Sequence, residues 1–95
     1  GFNIYPRDLE EALMAQLGVA DAAVVGVASR QWGETPVGFV VAEAGVALDL
    51  EELKTATNAG LGKTQRLSEL RLIDELPRSH IGKILKTELR AMAEG

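Results

Sequence analysis

The sequence predicts a small α+β domain, with a three-stranded, mainly antiparallel sheet and about three helices packed on it. Two stretches space their apolar residues as helices do: Leu9, Leu13 and Leu17, and later Ile84, Leu85, Leu89 and Met92. A third helix is announced by its cap, Asp49 with Glu52 three residues on. Between them lie short apolar runs of strand length, and 95 residues suit one domain.

The elements follow in order. "GFNIYP" opens as a short extended piece, and Pro6 fits the first turn of a helix, where no amide donor is required. Asp8, Glu10 and Glu11 favour that helix start through the dipole, and Gly18 stops the helix. "DAAVVGVA", residues 21–28, is apolar on both faces and predicts a buried strand. Gly26 within it implies a close approach by another element. "SRQWGETP", residues 29–36, predicts a loop, and "VGFVVAE", residues 37–43, the partner strand. A helix is expected from about Leu50 to Asn58, then a glycine-punctuated loop, "NAGLGKTQR". "LSELRLI", residues 67–73, alternates as a half-buried strand, and a final helix is expected from Lys83.

Composition narrows the function. The net charge of −4 supplies no general phosphate-binding surface, so no nucleic-acid partner is expected. There is no cysteine, which excludes disulfides, thiolate nucleophiles and cysteine metal sites and is compatible with a reducing, cytoplasmic setting. One histidine, His80, cannot build a multi-histidine metal centre. No apolar run approaches the ~20 residues of a membrane span, and the N-terminal stretch is not a signal peptide. The sequence starts without methionine and reads as a fragment of a larger protein.

Self-contained catalytic machinery is missing. "GLGK", residues 60–63, lacks the preceding strand and the spacing of a phosphate loop and reads as a helix stop and a turn. Asp74 and Glu75 read as solvated charges. Ser79 and His80 are sequence neighbours without a third member, so they do not make a triad. Two features stand out. Trp32, the one tryptophan, either staples its loop to the core or stacks on a flat ligand or partner. Lys83, behind Gly82, is either a surface charge or a reagent on a presenting arm.

Three separated stretches bear on that choice: "GFNIYPRDLEEAL", "AAVVGVASRQWGETPVGFVV" and "LIDELPRSHIGKILKTELR". In order and spacing they resemble the C-terminal domain of the adenylate-forming superfamily, which holds acyl-CoA synthetases, adenylation domains of nonribosomal peptide synthetases and beetle luciferases. "NIYP", "WGE-P" and "ELPR---GKIL" look most like acyl- or aryl-CoA synthetases. The resemblance implies a mobile lid spanning residues 1–95 of an ATP-dependent acid–CoA ligase of acyl-CoA (fatty acid) metabolism. Such a lid is inactive alone and works on a large N-terminal adenylation domain that is absent here. ATP, a carboxylic acid and CoA are then substrates, with Mg2+ bound outside this domain.

The resemblance further implies that Lys83 is the catalytic adenylation lysine and that Gly82 bends the backbone for its insertion. After rotation, the other face serves CoA: Gly1 and Phe2 end the family's glycine-rich loop near the pantetheine channel, and Trp32 and Arg66 contact the nucleotide. The sequence departs from the family at Leu67, near which proline is common. A lid that loads a carrier protein, or a non-catalytic interaction module, are the alternatives.

Overall fold

The computed structural model describes residues 6–29, 33–61 and 66–94. Three helices and three strands follow in the order α1 (Pro6–Met14), β1 (Val19–Ser29), β2 (Gly33–Ala42), α2 (Leu50–Ala59), β3 (Glu69–Leu72) and α3 (Lys86–Glu94). The sheet order is β1-β2-β3. The long pair β1–β2 is antiparallel, with Ala23 opposite Phe39 and Val25 opposite Val37. The short strand β3 runs parallel to β2, from Glu69 opposite Val37 to Leu72 opposite Val40. A parallel neighbour needs a crossover, and α2 supplies it. The expected α+β class and three-stranded sheet are therefore observed, with one parallel pair.

The run that is apolar on both faces builds two cores. Ala22 and Val24 of β1 face α1 and α2, where they pack with Leu9, Leu13, Val40, Leu53, Leu67 and Leu70. Ala23, Val25 and Val27 point the other way and pack with Val37, Phe39, Leu76 and Leu89. This is the period of two of a strand buried on both sides. Gly38 lies directly against the first core. A Cβ there would stand 2.7 Å from Leu70 Cδ2 and 3.2 Å from Leu13 Cδ1.

Besides shifts of one or two residues at the ends of β1 and β3 and at the end of β2, four boundaries differ from the sequence expectation. Helix α1 ends at Met14, and Leu17 is 98% exposed rather than part of its apolar stripe. Eight residues of α-helix already rotate Leu17 by ~80° away from Leu9. The chain instead tightens, with Gln16 N donating to Leu13 O, and turns at Gly18 (φ +89°) into β1. The second difference is β2, which starts at Gly33, so Pro36 lies inside a strand expected to begin after it. Proline has no N–H for a ladder, but β3 only begins opposite Val37. Beside Pro36, Ser68 donates its N–H (3.0 Å) and its Oγ (2.8 Å) to the proline carbonyl.

The third is α2, which has the expected cap, Asp49 Oδ1 accepting from Glu52 N at 3.1 Å, and runs one residue past Asn58. The fourth concerns Lys83, which is not on a helix. Helix α3 begins three residues later, and of the predicted apolar stripe only Leu89 is a buried helical residue. Ile84 and Leu85 precede the helix, and Met92 is exposed.

Candidate functional site

The segment between β3 and α3 folds as a tight hairpin. Its sides meet at an antiparallel bridge between Arg78 and Ile84. Leu85 N donates to Pro77 O at 2.8 Å and Ser79 N to Lys83 O at 2.8 Å. Gly82 N closes the tip on Ser79 O at 2.9 Å. Gly82 takes φ +84°, a left-handed conformation that glycine adopts without the Cβ penalty. This residue breaks the run into α3 and swings Lys83 out of helical register. Lys83 therefore sits in the turn, three residues before α3 begins.

Ser79 contributes a further hold: its Oγ accepts from Lys83 N at 3.2 Å. The hairpin is anchored below by buried Leu76 and half-buried Ile84, both in the core that α3 covers. Its tip, His80–Ile81–Gly82, and Lys83 itself are exposed.

A cleft beside the hairpin is lined by Arg78, Lys83, Ile84, Leu85, Lys86 and Thr87. Three cations flank it, and two are committed. Arg78 pairs with Asp21. Lys86 Nζ lies 2.8 Å from Glu10 Oε2. Among the described residues, the Lys83 ammonium has neither an ion-pair nor a hydrogen-bond partner. An anion entering this cleft meets a fixed backbone and one uncommitted ammonium with three donors.

Arg66 is exposed and stands at the entry to β3, outside this cleft. The next residue, Leu67, packs in the opposite core, against α1 and α2. Asn58 fixes that entry from both sides: Leu67 N donates to its Oδ1 at 2.8 Å, and its Nδ2 donates to Leu67 O at 3.1 Å. The departure from the family at Leu67 thus supplies an N–H that proline lacks. Lys83 and Arg66 are not brought together; the sheet separates the layers to which their neighbours belong. Gly1, Phe2 and Trp32 lie outside the described residues. Among the described residues, no three His, Cys, Asp or Glu side chains gather as a metal site requires. No helix there is long and apolar enough to cross a membrane.

Comparison with known proteins decides the family. A family model, the AMP-binding enzyme C-terminal domain, matches residues 8–83, from α1 through the hairpin lysine. The chain belongs to this family. It is 43% identical over 97 residues to a long-chain-fatty-acid–CoA ligase of Escherichia coli O6:H1, covering 100% of this chain and 17% of the relative. It is 40% identical over 91 residues to 4-coumarate–CoA ligase 5 of Oryza sativa subsp. japonica, covering 96% of this chain and 17% of the relative. Among solved structures, ATP-bound MatB from Rhodopseudomonas palustris superposes with a TM-score of 0.92 at 31% identity, over 99% of this chain and 19% of that one. The AMP-binding C-terminal domain thus spans less than a fifth of each of these proteins.

Arg78, Ser79 and Asp21 escaped the sequence reading as site residues. Ser79 had a local signal, a hydroxyl four residues before Lys83. Arg78 and Asp21 meet across 57 residues of chain, and no periodicity marks that pairing.

Proposed function

We propose that this domain is the lid of an ATP-dependent acid–CoA ligase and that Lys83 is the charge it delivers to adenylate formation. One observation carries the reading: the hairpin fixes the Lys83 backbone while leaving its ammonium the uncommitted cation of the cleft among the described residues. In the first half-reaction a carboxylate oxygen attacks the α-phosphorus of ATP, and the bond to pyrophosphate breaks. Negative charge concentrates on the carboxylate and the α-phosphate oxygens along the way. A preplaced ammonium stabilises that charge where it develops, and the water-poor interface of two domains strengthens the effect. Mg2+ would be held outside this domain and would supply neutralising charge at the phosphates.

In the second half-reaction the CoA thiol attacks the acyl carbonyl and AMP leaves. Lys83 has no task in that step, so the lid turns it away and offers its other layer. Arg66, exposed at the entry to β3, suits a nucleotide phosphate there through its planar fork. In this assignment Gly1 and Phe2 serve the pantetheine channel, and Trp32 joins Arg66 at the CoA nucleotide.

The test uses the full-length protein that carries this domain. Lys83→Ala is expected to lower carboxylate-dependent pyrophosphate exchange by about 10²–10³-fold. Thioester formation from supplied acyl-adenylate should survive. Equal loss in both half-reactions would remove Lys83 from its assigned step. Offering CoA and a phosphopantetheine-bearing carrier protein in competition then identifies the thiol acceptor.

A further inference from the structure

The lysine hairpin is fastened to the edge of the sheet by one arginine. The backbone of Arg78 forms the hairpin's base, and its guanidinium reaches in two directions. Nη1 donates to the Gly82 carbonyl at 2.9 Å, the carbonyl of the peptide bond that leads into Lys83. Nη2 donates to Asp21 Oδ2 on β1. Asp21 is itself oriented, because its Oδ1 accepts from Ala22 N at 2.9 Å. A continuous polar chain therefore runs from the outer edge of β1 through Asp21 and Arg78 to the backbone of Gly82–Lys83.

The remaining polar bonds of the turn are internal to residues 77–85. They keep the hairpin closed, and Leu76 and Ile84 seat its base in the core, but among the described residues Arg78 makes the polar tie from its tip to the sheet. Gly82 is the residue of widest backbone freedom in the turn, and Arg78 ties down its carbonyl. A guanidinium suits this task because its donors form a rigid planar fork that serves two acceptors in one geometry. Both side chains are partly exposed, Arg78 43% and Asp21 32%. A pair so exposed contributes little to global stability, so its effect is local.

We infer that Arg78, anchored by Asp21, is a positioning residue that sets the direction of the Gly82–Lys83 peptide for adenylate formation. This inference rests on the assignment of Lys83 made above.

The experiment compares Arg78→Ala, Asp21→Ala, Arg78→Lys, Lys83→Ala and the double variant Arg78→Ala/Lys83→Ala in the full-length protein. Arg78→Ala should slow pyrophosphate exchange by about 10- to 100-fold, the scale of a misaligned group. The loss should fall on kcat, with thioester formation from supplied acyl-adenylate unchanged. Asp21→Ala should follow it, and Arg78→Lys should recover part of the rate. The double variant should be no slower than Lys83→Ala, since Arg78 acts only through Lys83. Wild-type exchange in Arg78→Ala, equal loss in both half-reactions, or further loss in the double variant would each overturn the inference. If Lys83→Ala leaves exchange intact, the assignment of Lys83 fails and this inference falls with it. If only the Lys83 variant is impaired, the inference alone fails.

Discussion

Two glycines carry opposite physical duties, and substitution separates them. At Gly82 an added Cβ meets nothing within 4 Å, but the backbone is left-handed at φ +84°. Gly82→Ala therefore meets no clash and costs about 1–2 kcal/mol of backbone strain, which the hairpin relieves by changing shape. In the full-length protein, adenylation should fall while the unfolding transition of this domain moves little; pyrophosphate exchange and a thermal melt together read this out. At Gly38 the backbone is an ordinary strand, and the added Cβ would sit 2.7 Å from Leu70 Cδ2. Gly38→Ala overpacks the core and should destabilise by about 1–3 kcal/mol, seen as a lower urea midpoint with the ratio of the half-reactions preserved. The sequence made Gly82 and Lys83 visible because glycine before lysine is a local pattern. It could not show that the pair sits in a hairpin, because the bridge from Arg78 to Ile84 and the hold on Asp21 are tertiary contacts.

At the scale of elements, β1 is an edge strand of 11 residues, and long open edges invite pairing with other chains. Side chains occupy some of its outward polar groups. Glu10 Oε2 on α1 accepts from Val24 N at 2.8 Å and also receives Lys86 Nζ from α3. Arg90 Nε donates to Gly26 O at 3.1 Å. One carboxylate thus joins both flanking helices to the strand edge. Glu10→Ala should destabilise by about 1–3 kcal/mol through the unpaired Val24 amide. It should also make association concentration-dependent, which sedimentation would detect; a variant that stays monomeric at high concentration would argue against edge protection. The existence of the elements was legible from periodicity and caps. The boundaries at Met14, Gly33 and Lys86 were not, because they depend on where neighbouring strands begin and where Leu85 closes on Pro77.

Across the whole molecule, the double-sided apolar run of β1 explains why the domain has two packed layers. The α1/α2 layer carries the Arg66 entry, and the α3 layer carries the lysine hairpin. Both halves share the walls of β1 and β2, so a turn of the domain moves them together. The family match stops at Lys83, yet Leu89 of α3, six residues later, is fully buried. Cutting the chain at that boundary would strip the cover from Ala23, Val25, Val37 and Phe39. The shortened product should then bind an apolar dye and precipitate rather than merely lose a helix; dye fluorescence and light scattering measure both. For anyone choosing where to clone this domain, the last nine-residue helix is the floor of its second core, and a boundary drawn by similarity alone would cut it away.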